Sequence, residues 1–433
     1  MAKPENGDYV KVITQDEEFD GILMPRPEIF DKNIIILKLD SGYNIGIDKA
    51  KIKKIELVKK YEPKKAKKHE IKFNKNLPTV LIISCGGTIS SKLDYRTGGA
   101  SADYAAEDFI QMCPELENIA NIKTKKAFSL MSEDMNPKAW QKIAEMIHKE
   151  LKQCDGVIIT QGTDTLHFTT YAMSFFLKNL NKPVIFTASQ RSIDRGSSDA
   201  FMNLICSVTA AAKFDFAGVA TCLHGTINDD YCILNRGAKV RKMHTSRRDA
   251  FRPLNELPLA KIFTDGRIEI TNDNFRKASE SKELKTELDN KFEHKVAMIT
   301  IYPGMDPEII DFYANKGYKG IVLSATALGH VPTITKGYSL EPYLKKAHEN
   351  GLAVVIASQT LYGRTNPYVY SNLRKLSITL HCIYVEDMIP EAAYVKLGWA
   401  LGHTSDIAEV KKMMLKNVAG EINERHEPES FLF

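Results

Sequence analysis

The sequence predicts two α/β domains with mostly parallel sheets, preceded by a small N-terminal unit of β-barrel type. Three observations carry this. From Leu77 onward short apolar runs rich in β-branched residues alternate with helical stretches, several β-rich runs crowd the segment from Gly7 to Val58, and one polar stretch, Gly266 to His294, interrupts the alternation. At 433 residues the chain also exceeds the size at which a single hydrophobic core usually stops growing.

Residues 1–70 divide into the β unit and a basic linker. DYVKVI, FDGILM, NIIILKL and YNIGI are short strands punctuated by Asp, Gly, Pro and Asn. The lysine-rich KKYEPKKAKKHEIKFNKN that follows has few core-forming residues; a solvated linker and an RNA-contacting tether are both open readings of it. Residues 77–265 form the first α/β domain. TVLIIS, DGVIIT, PVIFTA and AGVATC are bounded as buried parallel strands should be, and PKAWQKIAEMIHKELKQ between them carries apolar residues at helical spacing. Residues 266–294 are expected to be a linker. Residues 295–433 resume the alternation with KVAMITIYPG, GIVLSATALGH and GLAVVIASQT as a smaller C-terminal α/β domain.

Composition narrows the function classes. With 43% hydrophobic and 26% charged residues the chain is an ordinary folded protein, and a net charge of only +5 lacks the positive excess of a protein that neutralises many phosphates itself. No apolar run is long enough to span a bilayer and the N-terminus does not resemble a signal peptide, so a cytoplasmic protein without membrane attachment is expected. The seven cysteines include no CxxC pair and are expected to be reduced, buried thiols. HExxH, GxxxxGK[ST] and GxGxxG are missing, so no cofactor is expected in this chain.

In open α/β sheets ligands bind beyond the carboxyl ends of strands. Two turns there stand out. Cys85-Gly86-Gly87-Thr88-Ile89-Ser90 follows TVLIIS, and Gln161-Gly162-Thr163-Asp164-Thr165 follows DGVIIT. In each, glycine lets the backbone pass close to a ligand and a hydroxyl comes next. Taken singly, either turn reads equally well as a helix cap. Together they offer two hydroxyls and a carboxylate to one crevice. A threonine needs a base to attack, and Lys242, in a basic loop ending Asp249-Ala250-Phe251, is the candidate, although the local pattern alone suits a solvated lysine better.

CGGTI, TQGTDTLHFT and the Lys242 loop resemble, in order and spacing, the signatures of the L-asparaginase and glutaminase family, and the resemblance runs from Leu77 to the C-terminus. It implies a homodimer-built site with Thr88 as first nucleophile and Thr163, Asp164 and Lys242 as a second triad; the residues themselves leave the order of attack open. It implies further that Tyr95 closes over the substrate, that Ser132 and Asp134 in MSEDMNP grip its α-amino and α-carboxylate groups, and that Gly87 and Gly162 lie against it, backbone N–H groups near Gly87 and Thr163 serving the oxyanion. Glu133 stands where many relatives carry an amide. Cys85 departs from the usual small residue and reads as a buried thiol, and His330 either replaces a loop asparagine of the family or is a plain surface histidine.

A plain asparaginase does not need the N-terminal unit. That unit, with its KLDSGYNIGID segment, resembles the glutaminase subunits of archaeal tRNA-dependent amidotransferases. The resemblance implies glutamine as substrate and a homodimer within a heterotetramer. It also implies a partner, the amidotransferase's E subunit, that engages tRNA(Gln) and uses ATP and Mg²⁺ to activate the glutamate it carries. A free-standing cytoplasmic L-asparaginase is the alternative, and a non-catalytic amino-acid sensor a third.

Overall fold

The computed structural model describes residues 3–25, 33–61, 73–87, 89, 92–93, 100–101, 113–193 and 196–432; residues 62–72 of the expected linker lie outside these. The N-terminal unit is a five-stranded antiparallel sheet, β1 (Tyr9–Thr14), β2 (Glu18–Met24), β3 (Ile34–Leu39), β4 (Asn44–Asp48) and β5 (Ile52–Lys59), in the order β4-β3-β2-β1-β5. Its core is small, with Val10, Val12, Leu37 and Ile47 at the centre. Strand β5 is the one that pattern reading does not single out. Two register shifts against β1 break its period-two alternation, and none of its residues is fully buried.

The first α/β domain is built on β6 (Thr79–Ser84), β7 (Asn121–Lys126), α1 (Pro137–Glu150), β8 (Gly156–Thr160), α2 (Leu166–Phe176), β9 (Pro183–Thr187), α3 (Ala200–Lys213) and β10 (Gly218–His224). After these come β11 (Cys232–Arg236), β12 (Val240–Lys242), β13 (Phe251–Pro253), β14 (Ala260–Ile262) and β15 (Ile268–Ile270). Eight of these strands form one sheet, ordered β15-β14-β11-β10-β9-β8-β6-β7. The run from β10 to β7 is parallel, and β11, β14 and β15 extend it antiparallel. Every residue of β8 and β9 is buried, as strands covered on both faces require. Helix α1 starts where the sequence says it should: Pro137 occupies the first turn and the Asn136 side chain accepts from the Ala139 N–H. Its stripe of Trp140, Ile143, Ala144 and Ile147 faces the core.

The segment 266–294 is not purely a linker. Strand β15 closes the antiparallel edge of the large sheet, and Glu287–Leu288 pairs with Leu177–Lys178. No apolar run announces β15, because it is three residues long and its Ile270 is exposed. The C-terminal domain carries β16 (Val296–Thr300), α4 (Ile309–Asn315), β17 (Gly320–Ala325), α5 (Glu341–Glu349), β18 (Ala353–Ser358), β19 (Ile383–Tyr384), α6 (Pro390–Leu401) and α7 (Ile407–Leu415). Its sheet, β16-β17-β18-β19, is parallel throughout.

Three larger apolar clusters support the two α/β domains. One lies on the α3 side of the large sheet and another on the α5 side of the small one. The third is continuous across the domain boundary, joining Leu81, Ile143, Phe175 and Phe251 to Val322, Val355, Trp399 and Met414. At its centre α2 packs on α6, with the rings of Phe175 and Trp399 stacked 6.1 Å apart. Among the described residues no helix is long and apolar enough to cross a membrane.

Candidate active site

The adjacent parallel strands β7, β6 and β8 deliver three loops to one end of the sheet, and glycines let these loops touch. Gly86 and Gly87 have φ of 100° and 84°, the left-handed region that suits glycine. A Cβ on Gly87 would lie 2.2 Å from the backbone N of Gly162, and a Cβ on Gly162 would lie 2.7 Å from Cβ of Ser132. No side chain fits at either glycine. The CGG turn, the QGT turn and the Ser132 loop therefore stack as a single layer. Thr88 and Tyr95 lie outside the described residues.

On this layer Lys242, the last residue of β12, meets the QGTDT turn. Its Nζ donates to Thr163 Oγ1 at 2.8 Å and to Asp164 Oδ1 at 2.7 Å. The direct Thr163–Asp164 contact is longer, 3.4 Å, so the amine is the group that ties the two together. The Lys242 side chain is only 8% exposed, whereas that of Asp164 is 63% exposed: the hydroxyl and amine sit in the wall and the carboxylate borders solvent. A hydroxyl within reach of an amine that a third group orients is the arrangement nucleophilic hydroxyl chemistry requires.

Helix capping does not explain these side chains. Thr165 is the residue before α2, yet it makes no side-chain cap bond. Its hydroxyl donates to the Ser132 carbonyl at 2.6 Å, and its N–H donates to Ser132 Oγ at 2.9 Å. Ser132 is buried and serves to lock the two loops together, while Glu133 and Asp134, which follow it in a 3₁₀ turn, are exposed at the rim.

Three contributors escape the sequence reading. His167, in the first turn of α2, is buried; burial and the neighbouring Arg241 and Lys242 cations push its imidazole down to about 3, which keeps it neutral. Its Nδ1 has no hydrogen-bond partner among the described residues. Thr165 and Arg241 are the others. All three lie inside segments already singled out, but nothing in a residue string says which neighbour a side chain will meet. His330 sits in its own loop, accepting from Asn372 Nδ2 at 3.1 Å with its ring 5.1 Å from that of Tyr370. Cys85 is fully buried and burial pushes its thiol up; all seven cysteines are buried and free. Among the described residues no group of three His, Cys, Asp or Glu is placed to hold a metal ion.

Comparison with known proteins agrees with this layout. Residues 79–276 match the family model described as "Asparaginase, N-terminal", residues 295–414 that of the "Glutaminase/Asparaginase C-terminal domain", and residues 4–58 that of the "GatD N-terminal domain". Among solved structures, the thermostable L-asparaginase from Thermococcus kodakarensis matches with a TM-score of 0.71 and 29% identity, covering 80% of this chain and 99% of that one. A probable cytoplasmic L-asparaginase from Campylobacter jejuni matches with a TM-score of 0.64 and 25% identity, covering 78% and 100%. Curated relatives extend over nearly the whole chain. The glutamyl-tRNA(Gln) amidotransferase D subunit of Pyrococcus furiosus is 48% identical, covering 99% of this chain and 97% of its own length. Its counterpart from Methanothermobacter thermautotrophicus is 45% identical, covering 98% and 95%. An asparaginase-fold body, the N-terminal unit and full-length identity near one half together place this chain in the family of glutamyl-tRNA(Gln) amidotransferase D subunits.

Proposed function

We propose that the chain is the glutaminase of a tRNA-dependent amidotransferase, hydrolysing glutamine so that its ammonia converts Glu-tRNA(Gln) to Gln-tRNA(Gln) on a partner subunit. The observation that carries the chemistry is the contact of one nearly buried amine with both the Thr163 hydroxyl and the Asp164 carboxylate. With Lys242 neutral, the direction of that bond reverses and the hydroxyl proton passes to the amine. The threonine oxygen bonds to the side-chain amide carbon, the C–N bond breaks, the amine returns the proton to the departing nitrogen as ammonia, and water releases the acid. The same acyl transfer is open to Thr88, which the family resemblance makes the first nucleophile, and Tyr95 is the residue that closes over the substrate. The amides of Gly87 and Thr163 serve the oxyanion, and Ser132, Glu133, Asp134 and Gly162 frame the amino-acid end.

The chain uses no cofactor of its own. ATP and Mg²⁺ belong to the amidotransferase's E subunit, which also engages tRNA(Gln), and the assembly is a cytoplasmic heterotetramer around a homodimer of this chain. The N-terminal unit, matched by the D-subunit family model, supports this assignment over a free-standing asparaginase. The test compares ammonia release from glutamine and from asparagine, by the chain alone and reconstituted with the E subunit, ATP, Mg²⁺ and Glu-tRNA(Gln). Release from glutamine that rises severalfold in the full mixture is expected. Preference for asparagine with no response to the partner identifies a free-standing asparaginase instead.

A further inference from the structure

Lys242 ends a strand whose other face belongs to the C-terminal domain. Successive side chains on a strand point to opposite faces, so Arg241 lies on one side of β12 and Val240 and Lys242 on the other. Lys239, in the bend just before β12, and Arg241 both reach the C-terminal domain. The Lys239 amine is ion-paired with Asp387, both side chains being buried, and Arg241 Nη2 meets Glu391 Oε1 at 2.6 Å. Val240, between them, is fully buried in the shared core, and its backbone carbonyl accepts from the Tyr171 hydroxyl. Asp387 and Glu391 both belong to the C-terminal domain, Glu391 in the first turn of α6, where the helix dipole favours a carboxylate.

Burying such charges is costly, and apolar residues would hold the domains together as well; what ion pairs add is a fixed register. Register is what Lys242 needs. Its bonds of 2.8 and 2.7 Å leave no room for a displacement of even 1 Å before they cease to be hydrogen bonds. We infer that Arg241 and Glu391 are positioning residues: a cross-domain clamp through which the C-terminal domain sets Lys242 against Thr163 and Asp164.

This inference rests on the proposed role of Lys242, so Lys242→Met is assayed beside the clamp variants Glu391→Gln, Arg241→Met, Arg241→Lys and the double variant Arg241→Met with Glu391→Gln, all in the full chain with the E subunit present. Glu391→Gln and Arg241→Met are each expected to lose about tenfold in kcat for ammonia release from glutamine, with KM within about twofold. The double variant should lose no more than either single one, because one clamp is broken once, and Arg241→Lys should recover most of the rate. The inference is overturned by wild-type kcat in folded Glu391→Gln and Arg241→Met, by losses that multiply in the double variant, or by KM rising in step with the loss of kcat. Arg241 is partly exposed, so Arg241→Met carries the test should Glu391→Gln not fold. Full activity of Lys242→Met overturns the reading of the site itself, whereas an inactive Lys242→Met beside unaffected clamp variants overturns only the clamp.

Discussion

Replacing Lys242 with Met removes the amine and keeps an apolar stem of similar length. In the folded protein the exchange deletes one hydrogen bond to Thr163 and one ion pair to a carboxylate that is 63% exposed. A pair so open to solvent contributes well under about 1 kcal/mol, and the lost hydrogen bond about 1 kcal/mol. For a chain this long the melting temperature should fall by no more than about 3 °C. The rate should behave differently: removing a general base typically costs roughly 10²- to 10⁴-fold, and among the described residues the Thr163 hydroxyl is left with the 3.4 Å contact to Asp164. Ammonia release, followed with a coupled dehydrogenase, and thermal melting on the same sample separate the two effects. A kcat within threefold of wild type in a folded variant refutes the assignment of Lys242 as proton acceptor. A melting point lowered by 10 °C or more, on the other hand, shows that the amine is there for stability.

Three further perturbations follow from the same layer of loops. Gly87→Ala sets a methyl group into the backbone of Gly162 at a φ of 84°, and should lower unfolding free energy by at least about 2 kcal/mol in urea and abolish ammonia release; a variant as stable and active as wild type contradicts the stacked-loop geometry. Ser132→Ala strips the partly buried Thr165 N–H of its acceptor and should cost about 1 kcal/mol by the same denaturation measurement. His167 titrates near 6.5 when unfolded but near 3 when folded, so below pH 6.5 the unfolded chain takes up a proton that the folded chain refuses, and stability falls with falling pH. At pH 5 that amounts to about 2 kcal/mol, and His167→Leu should flatten the stability profile between pH 6.5 and 5; an unchanged slope means the histidine accepts its proton in place.

What could be read from the sequence was what local chemistry dictates. Fully buried parallel strands must be apolar along their whole length, so β6, β8, β9 and β10 announce themselves, as does α1 through Asn136, Pro137 and its apolar stripe. Gly87 and Gly162 marked turns in which backbone meets backbone. Edge strands escaped: β5 and β15 are paired on one side and largely exposed, so no periodicity reveals them. Lys242 was legible only through family resemblance, because a lysine in a basic loop looks solvated until another part of the chain covers it. The bond between Thr165 and Ser132, and that between Arg241 and Glu391, join residues far apart in sequence, and nothing in either string hints at the other.

The apolar cluster that crosses from the large sheet to the small one makes the two halves of the body mutually dependent. A chain divided in the segment that joins them would leave Phe175 and Trp399 each facing water where the other ring now lies. The N-terminal sheet stands apart from that dependence: among the described residues its centre of Val10, Val12, Leu37 and Ile47 is separate from the cluster the two halves share.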